Sequence, residues 1–180
     1  MKILLSVSLL FMLTASKKAI DFGTKGNSSD WYVLNDAVMG GLSEGNITKK
    51  TNSIIFKGSV SLENNGGFAS IRSAYDRYKM ASFNQVEIRY RSNAYDFAMT
   101  LELFQQFYRP YFKYNLSDTK NEWVVLTIDL KDFKAYSLGK YLGYKLDKKD
   151  KNNIIRMGFI SDEKRAGTYM IEIDYINFIQ

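Results

Sequence analysis

The side-chain chemistry open to this chain is narrow, because its 180 residues include no cysteine and no histidine. Thiolate zinc sites, Cys nucleophiles, Ser-His-Asp relays and disulfides are all excluded. Carboxylates, Lys, Arg, Tyr and backbone amides remain. Glu172 and Asp174 lie two apart in the run Thr168–Ile179, which as a strand would put them on one face together with Ile176 and Phe178. Three fates fit such a pair: a structural cation site, ion pairs with arginines, or exposure at a strand end. Two carboxylates alone supply too few oxygens for the first. Glycoside hydrolysis would need two acids facing one cleft at roughly 5–10 Å, and no spacing along the chain establishes that. No residue is therefore assigned as catalytic or metal-ligating, and neither an enzyme nor a cofactor is expected.

Two stretches carry unusual backbone chemistry. Trp31–Ser43, WYVLNDAVMGGLS, runs through Asn35-Asp36 into Gly40-Gly41, and Phe56–Arg72 runs through Asn64-Asn65 into Gly66-Gly67. Asn and Asp side chains bond nearby backbone amides, and glycine tolerates positive φ, so each segment describes a tight, hydrogen-bonded loop. Asp36 and Arg72 are the charges to pair across the two loops. The loops act either as a structural clasp, which the geometry of the glycine pairs explains unaided, or as the walls of a ligand pocket.

Aromatic residues form a second concentration. Phe107, Tyr108, Tyr111, Phe112 and Tyr114 crowd around Arg109-Pro110, a cluster able to stack on sugar rings or bases, or to fill a core. Tyr108, Tyr111 and Tyr114 are the candidate stacking residues, with Arg91 and Glu102 as polar neighbours. Strand alternation would set Phe112 and Tyr114 on one face and Tyr111 and Lys113 on the other. Trp123, at the start of an apolar run, is read as core.

The elements that must position these residues are strands. Ser53–Leu62, Phe68–Ile71, Gln85–Arg91, Phe97–Phe104, Tyr108–Leu116, Trp123–Leu130, Ile154–Ile160 and Thr168–Ile179 are β-rich runs separated by turn material. In Val86–Arg91 apolar residues alternate with Glu87, Arg89 and Arg91, the pattern of a half-buried antiparallel strand. Only Ser73–Ala81 and Lys131–Lys140 have room for a helical turn or two, and neither shows a sustained 3.6-residue stripe. With 46% hydrophobic and 15% aromatic residues, the expectation is one all-β domain over 20–180, a mostly antiparallel β-sandwich or jelly roll.

The net charge of +6 raises nucleic acid as a partner, but basic residues are interleaved with acids throughout, as in Lys145–Lys151, which reads as a solvated loop of mixed sign. No nucleic-acid role is assigned. At the N-terminus Lys2, the apolar run Ile3–Leu13 and the small residues Thr14-Ala15-Ser16 match a secretory signal over 1–16; the alternative is a buried first element of the domain. Eleven apolar-rich residues are too few to span a membrane, so the mature chain is expected to be exported, in the periplasm, without a membrane span.

The run Trp31–Ser43, followed by Phe56-Lys57-Gly58 and Glu63–Arg72, resembles the hallmark of the complex I intermediate-associated protein 30 family. Trp123, Asp129–Phe133, Met157-Gly158-Phe159-Ile160 and Gly167–Ile176 extend the resemblance over residues 20–179, with Ala37 where the family more often has Gly. It implies a galactose-binding-domain-like jelly roll, shared with many carbohydrate-binding modules. For the mitochondrial members it implies a non-catalytic role in assembling NADH:ubiquinone oxidoreductase. A mitochondrial transit peptide would be Arg-rich, whereas no Arg precedes Arg72 here. Two functions follow as expectations: a module binding a protein partner such as a membrane-complex subunit, and a carbohydrate-binding module using an aromatic face of the sandwich.

Overall fold

A computed structural model describes residues 17–22 and 30–180. The expected signal segment therefore lies outside the described residues. Among the described residues thirteen strands follow in chain order: β1 (Lys17–Asp21), β2 (Tyr32–Asn35), β3 (Glu44–Lys49), β4 (Ile54–Val60), β5 (Ala69–Arg72), β6 (Gln85–Asn93), β7 (Phe97–Glu102), β8 (Tyr111–Leu116), β9 (Val124–Asp129), β10 (Lys134–Ser137), β11 (Lys140–Lys145), β12 (Arg156–Ser161) and β13 (Gly167–Ile179). One sheet runs β3-β4-β13-β6-β9, with β1 also on β13, and the other runs β11-β10-β8-β7-β12-β5-β2. All the pairings are antiparallel. The all-β sandwich expected from the sequence is the fold observed.

Alternation decides which side chains fill the space between the sheets. Val86, Ile88 and Tyr90 of β6 and Phe97, Met99 and Leu101 of β7 are buried inward, while Glu87, Arg89 and Arg91 face away. Phe56, Phe97 and Tyr169 pack with centroids 4.9–6.4 Å apart, and Trp31 stacks on Phe159 at 5.9 Å. Each such ring, fully buried, contributes about 1.5–3 kcal/mol of transfer free energy.

Two sequence expectations about elements are corrected. Ser73–Ala81, given room for a helical turn, contains none, whereas Lys131–Lys140, given the same room, opens in the short 3₁₀ turn Leu130–Asp132 and then forms strand β10 paired with β8. Glu172 and Asp174 do not share a face with Ile176 and Phe178. The register of β13 against β6 shifts between Ile173 and Tyr175, so inward residues run Ile171, Ile173, then Ile176, Phe178. This bulge at Asp174 lets one long strand bury two apolar pairs of opposite parity.

Candidate binding face and the Asp36 clasp

The two Asn/Asp-Gly loops meet on one carboxylate. Asp36, 1% exposed at the start of a 3₁₀ turn (Asp36–Met39), accepts from Ser43 N–H at Oδ1 (3.0 Å). Its Oδ2 accepts from the Ser43 hydroxyl (2.6 Å), Gly67 N–H (2.6 Å) and Phe68 N–H (3.2 Å). The glycines divide the labour. Gly40 (φ 89) and Gly67 (φ 134) supply positive φ. Gly41 and Gly66 supply space: a Cβ there would stand 2.4 Å from Asp36 Cγ and 2.7 Å from its Oδ2. Asn64 (φ 53) and Asn65 (φ 59) turn the second loop through the left-handed region, which Asn tolerates. Burial opposes ionisation of Asp36, but the Ser43 hydroxyl and the three backbone N–H groups outweigh it and hold its carboxyl below the ordinary value.

Arg72 is not Asp36's partner, contrary to expectation. It projects from the outer face of β5 and pairs with Glu102 Oε1 at 3.2 Å. Arg156 closes the group: its Nε donates to Glu102 Oε2 (2.9 Å), its Nη2 does the same, and its Nη1 donates to the Tyr32 hydroxyl (2.8 Å). Burial lowers the Arg72 pKa, Glu102 opposes that and Arg156 adds to it. A Cβ at Gly158 would lie 3.2 Å from Arg72 Cγ and 2.6 Å from Ile71 O, so glycine there leaves the lane in which Arg72 crosses β12 to Glu102.

This group belongs to two rows that cross the outer face of the seven-stranded sheet in register. The first is Tyr141, Tyr136, Tyr111, Glu102, Arg156, on β11, β10, β8, β7 and β12. Tyr111 and Tyr136 have centroids 6.3 Å apart, and Tyr136 and Tyr141 5.7 Å. The second row is Lys145, Lys134, Lys113, Thr100, Gly158, Arg72, Tyr32, reaching on to β5 and β2. Burial, aided by Asp162, pushes the Tyr111 phenol up to about 12, so it stays a hydrogen-bond donor at neutral pH. Seven strands at about 4.8 Å spacing make the face roughly 29 Å wide.

The model of the complex I intermediate-associated protein 30 family matches residues 20–173. The chain belongs to that family. No curated protein matches it in sequence. Among solved structures, the family 11 carbohydrate-binding module of cellulase Lic26A-Cel5E of Clostridium thermocellum is similar at TM-score 0.65 and 14% identity, covering 91% of this chain and 94% of that one. The family 11 module from Clostridium thermocellum in complex with a β-1,3-1,4-mixed-linked tetrasaccharide gives TM-score 0.62 at 14% identity, covering 91% and 95%. The xylan-binding module CBM15 gives 0.53 at 12%, covering 92% and 96%. This complex I intermediate-associated protein 30 family member thus has the β-sandwich fold of carbohydrate-binding modules.

In this family member the hallmark residues divide between core, clasp and face. Trp31 is core, stacked on Phe159 and edge-on to Phe22 at 5.2 Å. Asn35 ends β2 with its buried Oδ1 unbonded, the one such side-chain atom among the described residues. Of the stacking candidates, Tyr111 lies on the outer face. Tyr114 does not: it shares the inward face of β8 with Phe112, packs on Phe133 at 5.7 Å and walls an open cleft of about 360 Å³ beside Tyr90 and Val124. Tyr108 is 56% exposed in the turn before β8, against Phe107, outside the in-register row. Arg91 belongs to the other sheet, where it donates to Glu172 Oε2 (2.6 and 2.9 Å) while Ser53 donates to Oε1 (2.6 Å), and Arg89 pairs with Asp174. Trp123 is half-buried on that surface rather than core, with the Arg89 and Arg91 guanidiniums 4.5 and 5.1 Å from its ring.

Tyr136 and Tyr141 were missed by sequence reading because they sit in a segment read as helical turn and loop. The signal available was the run Lys134–Lys145 itself, in which Tyr136, Tyr141 and Tyr144 flank a Leu138-Gly139 turn of positive φ (48 and 76). Lys151, read as part of a solvated loop, is instead 8% exposed and donates to Phe83 O at 2.5 Å.

Proposed function

We propose that this protein is a non-catalytic carbohydrate-binding module that holds a saccharide chain along the outer face of its seven-stranded sheet. The observation that carries the reading is the in-register row Tyr141, Tyr136, Tyr111, with centroids 5.7–6.3 Å apart and leading directly into Glu102 and Arg156. Sugar rings present apolar C–H faces to aromatic rings and hydroxyls to polar groups at their edges. A tyrosine row running into a fixed carboxylate and guanidinium group offers both in one line. Glu102 and Arg156, 9% and 5% exposed and tied to one another and to Arg72, give the row a rigid polar end that needs no side-chain ordering. The similar fold of modules whose names specify xylan or a mixed-linkage glucan supports the class of ligand. The apolar run Ile3–Leu13, read as a secretion signal, supports delivery to a compartment where such polymers occur.

The test is affinity electrophoresis of the protein through gels cast with single polysaccharides, repeated with Tyr136→Ala. Retardation by at least one polymer, lost in Tyr136→Ala at unchanged thermal stability, is expected. A panel with no retardation, together with a specific protein captured from envelope extract, would replace this reading by the assembly-module one.

A further inference from the structure

Beside the tyrosine row runs a lysine row in which one charge of three has no acid paired with it among the described residues. Lys113, Lys134 and Lys145 occupy directly opposed positions on β8, β10 and β11, on the same outer face as the tyrosines. Like charges directly opposite one another in an antiparallel sheet are destabilising. The two outer members are neutralised within the chain: Lys113 pairs with Asp162, and Lys145 with Asp132 at 2.9 Å. Lys134, exposed between them, has no acid paired with it among the described residues. Its ammonium is thus an exposed positive charge between two ion pairs, two residues along β10 from Tyr136. Lys113 also sits with Nζ 4.3 Å from the Tyr136 ring centroid, which ties the charged row to the aromatic one. Further along the face the balance has the same sign, because Arg72 and Arg156 share the single carboxylate of Glu102.

The geometry points to an acidic polysaccharide as the ligand, with its rings on the tyrosine row and its carboxylate or sulfate groups along the lysine row at Lys134. This assignment rests on the carbohydrate-binding reading and adds the charge class of the ligand. A neutral glucan or xylan would stack on the tyrosines but leave Lys134 unanswered. An acidic polymer answers both rows at once, its rings stacked on the tyrosines and a negative group paired with Lys134.

The experiment measures binding of the full protein to a neutral pair (mixed-linkage β-glucan and neutral xylan), a carboxylated pair (polygalacturonate and alginate) and a sulfated polymer (carrageenan), at low and at physiological salt. The variants are Lys134→Glu, Tyr136→Ala and Lys57→Glu. Lys57 is exposed on β4 of the other sheet, so its reversal changes net charge equally without touching the face. The expected result is binding to a carboxylated or sulfated polymer that weakens with salt, falls about tenfold in Lys134→Glu, falls in Tyr136→Ala and is unchanged in Lys57→Glu. The carboxylated and sulfated arms identify which acid group is recognised. Binding confined to the neutral polymers, or acidic binding insensitive to Lys134→Glu, overturns the charge assignment and leaves the carbohydrate-binding reading standing. Equal losses in Lys134→Glu and Lys57→Glu, or no loss in Tyr136→Ala, show attraction by overall charge and overturn it as well. No binding to any polymer overturns both.

Discussion

Asp36 and the missing side chain of Gly41 fit one another: a Cβ on Gly41 would stand 2.4 Å from Asp36 Cγ and 2.5 Å from Oδ1. The glycine is required by the carboxylate, not by its own φ. That carboxylate in turn gathers Ser43, Gly67 and Phe68, and so joins the loop after β2 to the loop before β5.

Asp36→Asn should therefore destabilise the fold by about 2–3 kcal/mol, since an amide cannot accept at both positions and a charge-assisted set is lost. Thermal melts should show a fall in Tm of roughly 4–12 °C. Gly41→Ala should cost about 1–3 kcal/mol through overpacking against the same group. Unaltered melting of both variants would contradict the clasp.

Acid sensitivity follows from the direction of the Asp36 shift. Its folded pKa lies below the ordinary value, so the unfolded chain binds the proton more readily and stability rises with pH. The contribution is complete above about pH 4, near the unfolded value, and is lost as pH falls toward the folded one. Glu172 acts in the same sense: burial opposes its ionisation, but Ser53 and Arg91 outweigh that and hold it below its ordinary value. Melting temperature followed from pH 6 to pH 2 should fall more steeply for the wild type than for Asp36→Asn. Parallel curves would remove Asp36 from the account.

Glu102→Ala should be severe, about 3–5 kcal/mol, because it leaves the buried Arg156 and the neighbouring Arg72 facing one another without a carboxylate. In double-mutant cycles Arg72 should couple to Glu102 and show no more than about 0.5 kcal/mol with Asp36. Coupling of Arg72 to Asp36 instead would mean the ion pairs are misassigned.

Tyr111→Ala and Tyr114→Ala separate the two faces of β8. The first should abolish saccharide retention with little change in Tm. The second should lower Tm by removing the packing on Phe133 and leave retention intact. The reverse pattern, read by the same electrophoresis and melts, would place binding in the cleft that Tyr114 lines.

Local chemistry made much of this legible. Two-residue alternation marked β6 and separated Phe112 and Tyr114 from Tyr111 and Lys113, because side-chain direction in a strand is set by the backbone alone. Asn-Asp and Gly-Gly pairs announced tight loops for the same reason. Strands β1, β2, β3, β10 and β11 were not read: all are short or polar, and β1 and β2 form only by pairing with the distant β13 and β5.

The sequence by itself determined an all-β sandwich, the family, and the presence of two glycine-bearing loops, since these depend on residue type and short-range periodicity. Only the tertiary structure decided who meets whom. A bulge at Asp174 turned Glu172 toward Arg91, and registers across five strands aligned Tyr141 with Arg156. Arg72 went to Glu102 rather than Asp36, because the register of β2 on β5 sets Arg72 opposite Tyr32 at one end of the pair and Asp36 beside Phe68 beyond the other, and register is fixed by contacts far along the chain.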